Sequence, residues 1–505
     1  MTKLTVLGSG REVGRSCLQL DVEGKRVLLD CGIQAGQFGR SSLPLIHEEL
    51  ASSIDAVLVT HAHLDHSAAL PRLLRMGFKG RIFMTLPTMA LANLLWQDEL
   101  SLMEREWPPE ERLWGSQEMS HTLSSTTATT YHEEFQFNGL RFNFHNAGHI
   151  LGSAMIEVKT PGFRLVYTGD LGSKSNHLRY WRASDIAYPD VLILESTYGG
   201  VNRRSRGDLE REFVERVKAV LESGGKVLIP VFSVGKAQEL LKLLKDRWRS
   251  LPKVKVILEG MAINALKIYE QFLIYMDEGV RRAFLFNAVN PFKWEDLAFP
   301  ATLGERKRLV ESREPAIILA PSGMLRGGWS LWYFLHLAQN PENMVVLVGF
   351  MAEGTIGHAL LNGVKQFKVR DMISGEERDV DVKAQIYHFE LSTHAMHSEL
   401  CNFVAQMKPE KLVLVHGALE SALKLASSVE DHAGEIIIPE NGAQLDLEHR
   451  KVETALPARV EIPIDDKIAV VLPRGFPLLV KFNGKEKFLK AEDLYSLLKQ
   501  PRSRC

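Results

Sequence analysis

The run Thr60-His61-Ala62-His63-Leu64-Asp65-His66 is the part of this 505-residue chain best equipped for chemistry. Neutral imidazoles and a carboxylate make a nitrogen/oxygen donor set that suits zinc and similar divalent ions. In a loop the alternate residues His61 and His63 can point one way while Asp65 and His66 turn toward a second ion. Two ions roughly 3.5–4 Å apart need a shared carboxylate and donors from elsewhere. Three places offer them: His149 in Asn146-Ala147-Gly148-His149, Asp170 in Tyr167-Thr168-Gly169-Asp170, and His416 in Leu414-Val415-His416-Gly417. Each stands beside a glycine at a strand end, where a side chain can reach a cleft. Unrelated surface histidines are the bland alternative. It fits the first cluster poorly and weighs more for His149 or His416 taken singly.

Such donors must be carried by strands that end in one place. Residues 3–7, 16–22 and 25–30 read as strands, the last two joined by a tight turn at Glu23-Gly24. Residues 55–60 form an apolar strand that runs into the histidine cluster, with a helical pattern from about Ser67. Further strands are expected at 135–144, 154–159 and 163–167, and the Ser/Thr-rich stretch 120–130 reads as a loop. From about Gly199 the rhythm changes. Leu209, Phe213, Val217 and Leu221 mark one buried helix face, Gly224-Gly225 stops it, and residues 226–232 form a strand. Ser233 reads as the cap of the next helix. Strands at 254–258, 316–320 and 344–350, each followed by a helix, predict a parallel, doubly wound unit. Residues 383–390 and 411–415 are two more strands, each ending near a histidine. Beyond about Pro457 a small appendage with two strands and a short helix is expected.

Composition narrows the function classes. Apolar residues make up 45% and charged residues 24%, the balance of a globular protein rather than a disordered or fibrous one. Lys+Arg 61 against Asp+Glu 62 gives a net charge of −1, so bulk positive charge cannot be the basis of nucleic-acid binding, though a local basic cleft can. Four scattered cysteines without a CxxC pair exclude a thiolate zinc ribbon and fit reduced thiols. The N-terminus runs straight into a strand with no secretory signal, and no apolar run reaches membrane-span length. The expectation is a soluble cytoplasmic protein, or a nuclear one if the source is eukaryotic.

With these residues in hand, the chain resembles the metallo-β-lactamase superfamily. Asp30 in LLDCG, the H-x-H-x-D-H cluster, His149 and Asp170 are similar to its successive motifs. Glu195 in Glu195-Ser196-Thr197-Tyr198, His394 in Ser392-Thr393-His394-Ala395, and His416 resemble the β-CASP branch, the nucleases that include the cleavage-and-polyadenylation and Integrator endonucleases and prokaryotic relatives. The likeness covers about residues 3–445. It departs from the family's pattern at Met396, Ala418 and Lys236.

The resemblance implies an α/β fold: an αββα metallo-β-lactamase sandwich built from residues 1–198 and 386–456, with a doubly wound β-CASP cap inserted at 199–385. Residues 457–505 lie outside the likeness, and docking and simple packing are equally good accounts of them. It implies two divalent ions, zinc or else manganese, with His61, His63 and His149 on one, Asp65, His66 and His416 on the other, and Asp170 between them. Asp30 becomes an outer-shell residue fixing an imidazole. The implied activity is hydrolysis of single-stranded RNA by water activated between the ions, with His394 as proton donor held by Glu195.

Small residues where cap strands feed helix starts, Ser322-Gly323 and Gly354-Thr355, are candidates to cradle phosphates through backbone N–H groups. Arg203, Arg204, Arg206 and Lys236 are candidate RNA-backbone contacts, with Arg326 a weaker one. The bland readings are tight turns for packing and a solvated charged face. The aromatic residues fall mostly on core periodicities, so no base-stacking platform is expected. Partners would be the RNA substrate, with a homodimer or subunits of a processing complex as options, and no membrane. The competing readings are a DNA nuclease of the repair-type branch, whose members characteristically lack a histidine corresponding to His416, and a non-catalytic scaffold, which would have lost ligands.

Overall fold

The computed structural model describes residues 2–34, 37, 39–349 and 351–447, together with four strands of the C-terminal segment. Two seven-stranded sheets carry the first part of the chain. In the first, Lys3–Gly8, Cys17–Val22 and Lys25–Leu29 run antiparallel, and Ala56–Leu58, Arg81–Thr85 and Thr126–Thr129 continue in parallel. In the second, Glu134–Phe137, Leu140–Asn146, Ala154–Thr160 and Phe163–Tyr167 form an antiparallel meander, and Val191–Glu195, Lys411–Val415 and Glu435–Ile437 extend it in parallel.

The period of two along each strand decides what faces what. Leu4, Val6, Leu18, Val27 and Leu29 of the first sheet meet Phe142, Phe144, Ile156, Leu165 and Ile193 of the second in one buried layer. The intervening residues face outward onto helices. Val57 and Val59 pack with Leu91, Leu95 and Trp96 of the helix Leu86–Glu106. Leu192, Leu194 and Leu412 pack with Leu400, Phe403 and Val404 of the helix His397–Met407. The result is the expected αββα sandwich.

A third, six-stranded sheet is parallel throughout, in the order Leu297–Ala298, Lys255–Leu258, Ala316–Ala320, Val227–Pro230, Met344–Val348, Gln385–Phe389. Its central strands Val227–Pro230, Ala316–Ala320 and Met344–Val348 are continuously apolar because helices cover both faces. Val227 and Ile229 meet Phe213 and Val217 on one side, and Leu228 and Ile318 meet Trp332 and Phe334 on the other. This is the doubly wound unit. The chain then returns to the sandwich, where Lys411–Val415 pairs with Val191–Glu195 and Gln444–Asp446 with Lys3–Gly8.

Several expectations are corrected. Residues 120–130 are not a loop: they contribute to the helix Ser116–Ser124, which buries Met119 and Thr122, and the strand Thr126–Thr129, which pairs with Arg81–Thr85. Tertiary pairing overrides the turn-like composition there. The expected strand 135–144 is a hairpin, folded at Asn138-Gly139 with both residues at positive φ, 50° and 88°. An Asn-Gly pair is the strongest short signal for that turn. The helix Lys236–Asp246 is capped by Gly235 (φ 87°), whose N–H donates to Gln238 Oε1, and not by Ser233. Gln385–Phe389 belongs to the third sheet, so the cap reaches past residue 385. A strand's sequence does not say which of two sheets it joins. The C-terminal unit, residues 449–505, carries a four-stranded antiparallel sheet rather than two strands. The short helix expected there lies outside the described residues. Among the described residues no helix is long and apolar enough to cross a membrane.

One buried acid gives a stability test. Glu99, 9% exposed on the helix Leu86–Glu106, has its carboxyl pushed up to about 7, by burial first and then by Asp98 and Glu106. The unfolded chain loses this proton near the ordinary 4.5 and the folded chain near 7, so stability falls as pH rises between them. Glu99→Gln is therefore expected to stabilise the fold by about 2–3 kcal/mol at pH 8 and to do little at pH 4.5. Equal gains at both pH values in thermal melts would contradict it.

Candidate metal centre

Each predicted donor sits where a strand of the sandwich gives out. His61 and His63 follow Ala56–Leu58, and Asp65 and His66 lie in the short helix Leu64–Ser67. His149 follows Leu140–Asn146, Asp170 follows Phe163–Tyr167, and His416 follows Lys411–Val415. Close approach of these loops constrains the backbone. A Cβ at Gly169, which has φ 53°, would stand 2.6 Å from Thr60 Oγ1. Asp30 and His416 adopt left-handed φ values of 61° and 49°. Strain of this kind in non-glycine residues persists only where the surroundings over-determine it.

The seven side chains converge in two adjoining sets. His63 Nδ1 lies 3.2 Å from Nε2 of both His61 and His149, and Asp170 Oδ2 is 3.5 and 3.6 Å from the same two atoms. On the other side, His416 Nε2 is 3.3 Å and His66 Nε2 3.9 Å from Asp65 Oδ2. Asp170 Oδ1 stands 3.3 Å from both His66 Nε2 and His416 Nδ1, buried, without a hydrogen-bond partner among the described residues. Three imidazoles at these separations cannot satisfy one another, because one ring proton serves only one neighbour. Cations between the nitrogens and carboxylate oxygens would satisfy them all. The donor set fits divalent metal ions.

The electrostatics differ between the two sets, His61 and His149 being lowered and His66 and His416 raised. Burial, reinforced by the neighbouring His66, pushes His61 well below its ordinary value, and burial does the same to His149 with His394 beside it. Both are neutral, as metal donors must be. Burial would also depress His66, but Asp170, Asp30 and Asp65 outweigh it and raise it. Asp65 is held at about 2: burial pushes its carboxyl up, and His66 and His416 more than compensate.

Asp30 is buried behind the cluster. Its Oδ2 is 2.7 Å from His66 Nδ1 and also accepts the hydroxyls of Thr60 and Tyr167, while Oδ1 accepts the Thr60 N–H. It makes no approach to the convergence point and fixes the His66 ring. His394 stands at the mouth. Its Nδ1 is 3.2 and 3.3 Å from the two Glu195 oxygens, and its Nε2 is 3.9 Å from Asp170 Oδ2. Burial would lower its pKa, but Glu195 and Asp170 hold it up at about 9. Glu195 is anchored by the Leu171 N–H, 2.7 Å from Oε1.

A support absent from the sequence reading holds the His394 loop. Arg203 donates to the Ser392 carbonyl and to Ser173 Oγ, Ser173 N–H donates to the Thr393 carbonyl, and Glu399 accepts Ser173 Oγ and Tyr180 OH. Glu399 also accepts the Met396 N–H, which closes the start of the helix His397–Met407. Isolated polar residues scattered over two hundred positions offer no periodic signal from which to predict this.

The phosphate candidates separate. Ser322-Gly323 and Gly354-Thr355 come together at the C-terminal edge of the third sheet, where Met324 accepts the Gly357 N–H through its carbonyl. Thr355 caps the short helix Ile356–Leu361 by accepting the His358 N–H. Lys236 is buried, and the anion it faces is Glu239, which also pairs with Arg206. Arg203 is committed to the His394 loop, and Arg204 is exposed and paired with Glu212. Carboxylates answer Lys236, Arg206 and Arg204, and carbonyl and hydroxyl oxygens answer Arg203.

A sandwich of this topology with a histidine/aspartate cluster at its strand ends defines a metallo-β-lactamase-type hydrolase, and the match to known proteins makes the assignment finer. Residues 18–185 match the family model of the metallo-beta-lactamase superfamily domain, residues 237–360 that of the Beta-Casp domain, and residues 379–439 that of the Zn-dependent metallo-hydrolase RNA specificity domain. The transcription termination factor FttA of Methanothermobacter thermautotrophicus is 38% identical over 440 residues, 85% of this chain and 69% of that protein. Cleavage and polyadenylation specificity factor 73 of Drosophila melanogaster is 32% identical over 98% of this chain and 72% of its own length. An RNase J-like protein of Methanocaldococcus jannaschii is 33% identical over 85% and 96%. The chain belongs to the β-CASP family of the metallo-β-lactamase superfamily.

Proposed function

We propose that this chain is a metal-dependent endoribonuclease that hydrolyses phosphodiester bonds of single-stranded RNA in RNA processing or decay. The convergence of seven donors, Asp170 among them, with His394 backed by Glu195 at the mouth, carries the reading. His61, His63 and His149 would hold one divalent ion, Asp65, His66 and His416 a second, and Asp170 stands between the sets. Zinc suits such donors best, with manganese the other choice. When bound, the ions supply Lewis acidity and an acidified water.

The protein's own groups do the rest. Asp30 keeps the His66 ring turned into the cluster. Glu195 fixes the His394 ring through Nδ1 and keeps it protonated, which leaves the Nε2 proton facing the cleft for the departing 3′ oxygen. Ser322, Gly323, Gly354 and Thr355 are the groups we assign to RNA phosphates. The presence of His416 and the RNA-directed names of the relatives favour RNA over DNA. The free thiols of Cys17, Cys31 and Cys401 suit a reducing compartment such as the cytoplasm.

Digestion of an end-labelled 30-nucleotide RNA and its DNA counterpart tests the reading. Internal cuts in RNA that a chelator abolishes, with DNA spared, are expected. Preference for DNA points to the repair-type branch, and no hydrolysis by the metal-loaded chain points to a scaffold.

A further inference from the structure

We infer that the helix Glu278–Asn287 and the cavity beside it form a second contact surface for single-stranded RNA, outside the metal cleft; this rests on the RNA reading above. Phosphates would lie against Arg179, Arg182 and Arg281, and a base would stack on Phe284, which follows Arg281 by one helical turn.

The helix is inside out for a surface element. Val280 is its one buried residue, while Phe284, Leu285 and Phe286 are 39%, 61% and 80% exposed. Arg281 stands one turn before Phe284 on the same side of the helix, and Arg282 one turn before Phe286 on another. The adjoining cavity, about 300 Å³, is lined by Arg179, Tyr180, Arg182 and Arg281, with Asp277 and Glu278 at the same wall. Both carboxylates are engaged. Asp277 Oδ1 accepts the Gly279 N–H at the helix start, and Glu278 pairs with Arg282 at 2.6 Å. Arg179 reaches Asp185 only at 3.9 Å, and Arg182 and Arg281 have no carboxylate partner among the described residues. Unpaired guanidinium groups beside exposed flat rings are what a single-stranded polyanion recognises, since every base has a π-face and every phosphate a charge. A second copy of the chain is a poor occupant, because a twofold contact here would set arginines against arginines.

The surface is also in the right place. The Asp277 N–H donates to the His177 carbonyl, and Leu178 pairs with Met276, so the helix start is tied to segment 177–182. That segment backs onto the loop that carries His149. Asn146 Nδ2 donates to the Arg179 carbonyl at 2.8 Å, and a Cβ on Gly148 would stand 3.0 Å from the same oxygen. The segment that carries Arg179 and Arg182 is thus tied to the loop that carries His149.

The test is fluorescence anisotropy with a labelled 30-nucleotide oligouridylate, using the full chain in a His394→Ala background so that RNA survives. Phe284→Ser is expected to weaken binding about tenfold without changing its salt dependence, and Phe284→Trp to bind as the background does. Arg182→Ala with Arg281→Ala is expected to weaken binding and to reduce the slope of log K against log salt by about 1.4, two phosphates at about 0.7 each. Unchanged affinity in both the Phe284→Ser and the double arginine variant overturns the inference. So does a Phe284→Ser chain that changes from dimer to monomer in sedimentation with RNA affinity intact. Wild-type cleavage separates the two ideas: a chain that cuts RNA but ignores these substitutions sinks only this inference. A chain that binds through the surface and never cuts sinks only the nuclease reading.

Discussion

Replacing Asp170 with alanine is expected to lower RNA hydrolysis on the order of 10³-fold or more and to leave the purified chain short of both cations. No other donor serves both sets. Its Oδ2 lies within 3.6 Å of His61 and His149, and its Oδ1 is 3.3 Å from His66 and His416. Removing it takes away the negative charge that offsets two cations in a buried site. Bound ions are worth several kcal/mol of transition-state stabilisation, and each 1.36 kcal/mol is a factor of ten. Elemental analysis alongside the cleavage assay checks both halves. An Asp170→Ala chain that keeps two ions and near-normal activity would refute the shared-carboxylate arrangement.

His394→Ala should divide those two readouts. General-acid catalysis contributes about 10²–10⁴-fold, so cleavage should fall by that order. The metal content should stay at two, because His394 approaches the cluster only at 3.9 Å from Asp170 Oδ2 and its other nitrogen is committed to Glu195. A substrate with sulfur in place of the 3′ bridging oxygen leaves without a proton and should recover most of the lost rate. Loss of metal on substitution would make His394 a ligand, and failure of the sulfur substrate to rescue would remove its role as proton donor.

The donors were legible because metal chemistry imposes residue type and spacing together. The His61–His66 run follows an apolar strand, and His149, Asp170 and His416 each follow another, so the convergence could be inferred before any distance was known. The doubly wound cap was legible for a similar reason, since apolar strands bounded by helical periodicity have few other solutions. What stayed hidden depends on partners far off in the chain. Nothing local distinguishes Lys236 facing an anionic ligand from Lys236 facing Glu239, and the sequence reading chose the former. The Arg203–Ser173–Glu399 support and the outward rings of Phe284 and Phe286 were missed likewise, because helical spacing gives a face and not what covers it. Residues 120–130 mislead through composition alone, since Ser and Thr fit a strand edge as well as a loop.

Anomalous diffraction from crystals of the full chain loaded with zinc or manganese is expected to show two adjacent peaks, one among His61, His63 and His149 and one among Asp65, His66 and His416, with the Asp170 carboxylate between them. A single peak, peaks elsewhere, or none after soaking would contradict that arrangement.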